Sequence, residues 1–196
     1  MRVAAEAAEA SSIEGERKTV TSLFADIKGS TELEQDLDPE EARAIIDPAL
    51  KLMIAAVHHY DGYVVQSTGD GIFAMFGAPL AHEDHPQRAL YAALRMQDEL
   101  RRYATTLRER GWAPIEIRVG VNTGEVVVRA IKTAAGHEEY SPIGHSANLA
   151  SRMQTVAATG TIAATEDTRK FCEGYFTFRA LGPTRVKGVS EAVNVH

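Results

Sequence analysis

The sequence predicts an α+β fold: an antiparallel-rich sheet with helices packed on it. Two observations lead there. Apolar runs of strand length come in pairs around short glycine turns, at Ser67-Thr68-Gly69-Asp70-Gly71 and at Thr123-Gly124. Between and before these pairs lie longer stretches with apolar residues three and four apart, the spacing of helices. Hairpins mixed with long helices suit a layered design. With 196 residues and 44% hydrophobic content, one domain with a full core is expected.

Taken in order, residues 1–16 are rich in Ala, Glu and Ser, have no sustained apolar face and read as a flexible tail. Lys18 to Asp26 is the first strand. Thr31-Glu32-Leu33-Glu34 matches a capping box and opens a short helix. Asp38-Pro39-Glu40-Glu41 starts a second, with Pro at the first helical position and acids in the first turn. That helix sets Ile45, Ile46, Ala49, Leu50, Met53, Ala56 and Val57 on one face, with a kink expected at Pro48. After a turn at Asp61-Gly62, Tyr63–Val65 and Ile72–Phe76 form a hairpin. A long helix follows from about Pro86 to Arg110, with Leu90, Ala93, Leu94, Met96 and Leu100 on its apolar side. Ile115–Asn122 and Glu125–Ile131 flank Thr123-Gly124 as a second hairpin, and Lys132–Glu138 is the loop after it. Tyr140–Ile143 and Thr161–Ala164 are short strands. His145–Val156 and Glu166–Cys172 are helices. Phe176–Ala180 and Thr184–Val186 read as closing strands.

Composition narrows the function. The formal net charge is −6, from 27 acidic and 21 basic residues, which argues against nucleic acid as the main partner. Cys172 is the single cysteine, so no intrachain disulfide forms and a reducing compartment fits. No apolar run approaches the roughly 20 residues of a membrane span, and the N-terminus lacks a signal-peptide core. A cytoplasmic chain or segment is expected. The sequence stops at Asn194-Val195-His196 within a strand pattern, which suggests a domain of a longer parent with further domains.

Chemistry concentrates at Ser22–Thr31. A buried strand ends in a carboxylate, Asp26, and turns through Gly29, Ser30 and Thr31 into a helix. A carboxylate at a strand end can hold a hard cation, and helix-start N–H groups can face a phosphate. Asp26 as a plain turn cap is an equal alternative. Asp70 sits in the next hairpin turn, where paired carboxylates could share divalent ions, although Asp-Gly is also ordinary turn chemistry. Asn148 and Arg152, four apart, share a helix face and could orient a sugar and a phosphate; a solvated helix face is the plainer alternative. Lys187 precedes Gly188 in a loop that could reach a polyphosphate, or is simply a surface lysine. His82-Glu83-Asp84-His85 lacks zinc spacing and reads as a polar lead-in to the long helix. Cys172, Met53, Met96 and Met153 read as packing residues.

FADIKGST, STGDGIFAMFG, IRVGVNTGEVV, IGHSANLASRM and RVKG occur in this order over about residues 17–196. Together they resemble the catalytic domain of the class III nucleotidyl cyclases, the adenylate and guanylate cyclase family. The resemblance implies a ferredoxin-like sheet with additions, the class III cyclase catalytic fold. It implies that Asp26, Asp70 and the carbonyl of Ile27 hold two divalent metal ions, Mg²⁺ or Mn²⁺. Gly29, Ser30 and Thr31 would offer N–H groups to the β- and γ-phosphates, with Arg118 and Lys187 on the polyphosphate. Asn148 would orient the ribose and Arg152 stabilise the pentavalent phosphorus. The reaction would convert ATP to 3′,5′-cyclic AMP and pyrophosphate. Sites would be shared across a head-to-tail homodimer, with Asn148 and Arg152 of one subunit facing the metal aspartates of the other.

Two positions depart from the family pattern. Where adenylate-forming members usually carry lysine and aspartate for the base, this sequence has Gln66 and Ser141. Guanylate-forming members tend to have glutamate and cysteine there. A carboxamide both donates and accepts, so Gln66 could face either purine. ATP is the favoured substrate, with weak GTP use expected. A nucleotide-binding regulatory domain without chemistry is the runner-up. A different two-metal phosphoryl-transfer enzyme ranks last, because no GGDEF-like hairpin is present.

Overall fold

A computed structural model of the chain describes residues 15–132 and 138–196. β1 (Gly15–Lys28) runs antiparallel between β3 (Gly71–Phe76) and β4 (Glu116–Lys132). β2 (Tyr63–Ser67) extends the sheet beyond β3, and β5 (Glu138–Ile143) beyond β4, in the order β2-β3-β1-β4-β5. β6 (Ile162–Ala164) pairs parallel with β4. β7 (Gly182–Thr184) and β8 (Val193–Val195) form a separate antiparallel pair.

Side chains alternate along each strand, so each face of the sheet has its own chemistry. Leu23, Ala25 and Ile27 of β1, Ile72, Ala74 and Phe76 of β3, and Ile117, Val119 and Val121 of β4 are buried in one core. Two helices complete that core, α2 (Pro39–His59) and α3 (His85–Glu109), after the short α1 (Ser30–Asp36). In α2, Asp38 is the N-cap, Pro39 comes first and the helix runs unbroken through Pro48. In α3, the buried Gln97 donates to the carbonyls of Ile117 (3.3 Å) and Thr161 (3.0 Å), fixing the helix to the start of β4. Met53, Met96, Met153 and Cys172 are fully buried.

The opposite face carries α4 (His145–Val156), seated on β4. Beyond it a smaller core joins Met153 to Ala163 of β6 and Val195 of β8. A short helix, α5 (Glu166–Phe171), follows β6 and is capped by Thr165. The architecture is therefore two long helices, a curled sheet, and one helix with a small strand pair.

Several expectations need correction. The hairpin expected at Thr123-Gly124 does not form: β4 is one strand of 17 residues, paired with β1 over 14 positions. Gly124 serves helix approach instead, since a Cβ there would lie 2.5 Å from Ser146 Oγ. The capping box at Thr31 is displaced, because Gly29 is the N-cap of α1 with φ 82° and no side-chain cap forms. Leu94 is 44% exposed rather than in the core. Phe176–Ala180 is irregular; Phe176 and Phe178 do pack inward, but among the described residues no strand pairs with them. The closing strands are β7 and β8, so Thr184–Val186 enters the sheet only at Thr184. The tail expected over 1–16 falls outside the described residues up to position 14, and Gly15 and Glu16 belong to β1. Most of the loop expected after β4 also lies outside them, at 133–137.

Candidate active site

Asp26 and Asp70 come together because β1 and β3 are adjacent and antiparallel. Asp26 stands opposite Gly71, and Ile27 N–H donates to the Asp70 carbonyl at 2.9 Å. Gly71 is needed for this approach, since a Cβ would meet the Ala25 carbonyl at 2.6 Å. At the β1–α1 turn, Gly29 takes the left-handed conformation that favours glycine. The buried Ser30 hydroxyl then donates to Asp70 Oδ2 at 2.5 Å. Asp26 faces Arg118 directly across the β1–β4 register. The guanidinium holds both carboxylate oxygens, Nη2 to Oδ2 at 2.8 Å and Nε to Oδ1 at 3.3 Å. Both side chains of this pair are about a quarter exposed.

This donor set suits a hard divalent cation. Two carboxylates on neighbouring strand ends, both still partly open to solvent, offer the oxygen ligands that Mg²⁺ and Mn²⁺ prefer. Both Asp26 carboxylate oxygens accept from Arg118, so a cation bound there would share or replace that contact.

The same sheet face carries α4. Gly120, Asn122 and Gly124 alternate along β4 and point at the helix. A Cβ on Gly120 would lie 1.9 Å from the Gln154 nitrogen and 2.4 Å from the Ala150 carbonyl. Between the two glycines, the buried Asn122 donates to the Ser146 carbonyl (2.9 Å) and hydroxyl (2.8 Å) and accepts from Thr165 at 2.7 Å. The first turn of α4 is thereby pinned to the strand. Asn148 is exposed and Arg152 half-buried on the helix. Neither makes an ion pair or hydrogen bond with the Asp26 group among the described residues.

Gln66 lies exposed on β2, opposite Phe73, which stacks on Phe24 of β1 with ring centroids 4.2 Å apart. Ser141 is half-buried on β5, opposite Arg129. Lys187 is exposed in the turn between β7 and β8, next to Gly188 with φ 82°. The fold thus brings Asp26, Ile27, Ser30, Asp70 and Arg118 into one cluster. It leaves Asn148 and Arg152, Gln66, Ser141, and Lys187 on four separate stretches. In the HEDH segment, His85 is buried against Thr21 (2.8 Å) and Asp84 pairs with Arg88. Asn122 and Gly120 lie inside the IRVGVNTGEVV motif, which carries no assigned role for either. Their signal was present, because glycine and asparagine at a period of two in a strand share one face.

A cavity of about 460 Å³ lies behind the β1–α1 turn, lined by Lys28, Gly29, Leu33, Leu37 and Trp112 among others.

The sequence model of the adenylate and guanylate cyclase catalytic domain matches residues 14–196, and the chain belongs to that family. Adenylate cyclase 1 of Rhizobium meliloti (strain 1021) is 30% identical over 188 residues, 92% of this chain. The match covers 27% of that relative's length, so the chain spans about a quarter of it. The crystal structure of the adenylyl cyclase CyaB from P. aeruginosa superposes with a TM-score of 0.86 at 29% identity, covering 93% of this chain and 94% of that one. The guanylyl cyclase Cya2 gives a TM-score of 0.85, also at 29% identity, covering 93% and 92%. The fold is the class III cyclase catalytic fold. Among the described residues, no helix is long and apolar enough to cross a membrane.

Proposed function

We propose that the chain is the catalytic domain of an adenylate cyclase, converting ATP to 3′,5′-cyclic AMP and pyrophosphate. The observation that carries this reading is the cluster of Asp26, Asp70, Ser30 and Arg118 at one end of the sheet. In the reaction the ribose 3′-oxygen attacks the α-phosphorus. The new O–P bond replaces the bond to the β-phosphate, which leaves as pyrophosphate. Asp26, Asp70 and the Ile27 carbonyl would hold two divalent ions, which when bound lower the pKa of the 3′-hydroxyl and neutralise charge on the polyphosphate. Gly29, Ser30 and Thr31 present backbone N–H groups to the β- and γ-phosphates, and Arg118 and Lys187 add positive charge. Asn148 holds the ribose, and Arg152 stabilises charge on the equatorial oxygens of the transferring phosphorus.

That neither Asn148 nor Arg152 bonds to the aspartate cluster among the described residues supports a shared site. In a head-to-tail homodimer, α4 of one copy would face Asp26 and Asp70 of the other, and a two-fold axis would give two equivalent sites. Gln66 and Ser141 would read the base. ATP is favoured by the adenylate cyclase relatives, and the uncharged Gln66 leaves room for slower turnover of GTP. A cytoplasmic location, and a parent protein with further domains, complete the reading.

The test is turnover of ATP and GTP by the purified protein with Mn²⁺ and then Mg²⁺, over a range of protein concentrations. The expected result is cyclic AMP formation that rises more than linearly with protein, is stopped by chelator and is lost in Asp70→Ala. Nucleotide binding without any cyclic product would overturn the catalytic reading in favour of a regulatory module.

A further inference from the structure

The two outermost strands of the main sheet path, β2 and β5, meet. They stand at opposite ends of the order β2-β3-β1-β4-β5, yet the sheet curls until Tyr63 of β2 reaches Tyr140 of β5. The backbone N–H of Tyr140 donates to the Tyr63 hydroxyl at 3.1 Å, and the rings meet edge to face with centroids 5.7 Å apart. Beneath them a small core of Val20, Met75, Ala78, Val126 and Val128 fills the curl. The Tyr140 hydroxyl points away, donating to Glu138 at 2.8 Å.

The placement matters because of what flanks each tyrosine. Gln66 is three residues beyond Tyr63 on β2, across an irregularity in the β2–β3 pairing between Val64 and Gln66. Ser141 is the residue after Tyr140 on β5. Among the described residues no backbone ladder joins β2 to β5 directly, and the sheet's own hydrogen bonding links these two side chains only through the four ladders of β2-β3-β1-β4-β5. The Tyr63 hydroxyl supplies a direct tie. We propose that Tyr63 is a specificity-positioning residue: its bond to the Tyr140 N–H fixes the spacing of Gln66 and Ser141, and so sets how sharply the site separates adenine from guanine. This rests on the reading of Gln66 and Ser141 as base readers given above.

Uncharged readers make such a tie consequential. A carboxamide and a hydroxyl each accept and donate, so discrimination depends on geometry rather than on charge. Losing the tie lets β5 drift relative to β2, and both purines are then accommodated more equally.

The test is Tyr63→Phe, which keeps the ring in the small core and removes only the hydroxyl. Two measurements are made on the full chain: hydrogen exchange at the Tyr140 amide, and kcat/KM for ATP and for GTP. The expected result is faster exchange at Tyr140 together with an ATP-to-GTP ratio that falls about threefold or more, the scale of one lost neutral hydrogen bond. Manganese binding without nucleotide, which reports the distant aspartates, stays unchanged. Faster exchange with an unmoved ratio overturns the proposal, as does unchanged exchange at Tyr140. A wild-type protein that makes neither cyclic nucleotide overturns the cyclase reading and this one with it. A wild type that does, paired with an unmoved ratio in the variant, overturns this one alone.

Discussion

At Asp26 the proposed divalent ion would compete with an arginine for one carboxylate. Arg118 holds it through two hydrogen bonds in a partly buried pair, and the proposed chemistry asks the same oxygens to accept a divalent ion. In the proposed reaction the arginine would have to release Asp26 before it served a phosphate. Arg118→Gln should separate the two roles. Manganese binding by the nucleotide-free protein should tighten by several-fold, because a competitor is gone. Turnover should fall by about tenfold or more, because a charge on the phosphate side is lost. Stability should drop by about 1 kcal/mol with the ion pair. Paramagnetic titration of Mn²⁺ and urea unfolding midpoints check the first and last of these; weaker Mn²⁺ binding in the variant would sink the competition. Asp26 and Asp70 were legible in the sequence because a strand ending in a carboxylate and a Gly-Asp-Gly turn are local patterns. Their bonds to Arg118 and Ser30 were not, because partners 92 and 40 residues away are set by register.

The element that repays attention is α4. Its bounds, His145–Val156, follow from the apolar spacing and the glycine before it. Its seat on β4 takes the place of the hairpin expected at Thr123-Gly124. A Thr-Gly pair between two apolar runs looks the same whether the chain turns or a helix presses on it, and only the continuous β1–β4 pairing separates the cases. The Phe176–Ala180 segment shows the same limit from the other side, since alternation reports which side chains are inward and not whether a ladder partner exists. The seat makes a graded prediction. Gly120→Ala drives a methyl into helix backbone and should cost about 2–3 kcal/mol, with loss of turnover as Asn148 and Arg152 shift. Gly124→Ala meets the Ser146 side chain rather than helix backbone, so it should cost less, although turning the Ser146 hydroxyl aside gives up its bond from Asn122. Thermal melts rank the two, and an equal loss would argue that α4 is not held by close packing at Gly120.

Across the whole molecule, the helical side and the sheet are joined by a buried polar chain as well as by the apolar core. His85 at the start of α3 meets Thr21 of β1, which meets Thr123 of β4 at 2.9 Å, which meets Thr168 of α5 at 3.1 Å. Burial holds His85 below its ordinary value of 6.5, so the folded state keeps it neutral while the unfolded chain takes up a proton. Stability should therefore be complete above pH 6.5 and decline as the pH falls below it, by up to about 1.4 kcal/mol per pH unit until His85 itself protonates. Glu166, lowered to about 2 chiefly by its hydrogen bond from Arg169, acts in a different window, below its ordinary 4.5. Urea midpoints at pH 7.5 and 5.5 should differ in the wild type and converge in His85→Gln; an equal pH dependence in both would remove His85 as the cause. The curl of the sheet bears on solubility too. A bare sheet edge invites strand addition by neighbouring molecules, the first step towards aggregation. On β5 every second N–H points outward. Tyr140 spends its own on Tyr63, and Pro142, with the same orientation, has none to offer. Glu138 and Glu139 add repulsion along the rim. Two of the three outward positions of β5 are thus closed to strand addition, which leaves Glu138, under its own charge, as the remaining point of attachment for a crowded copy.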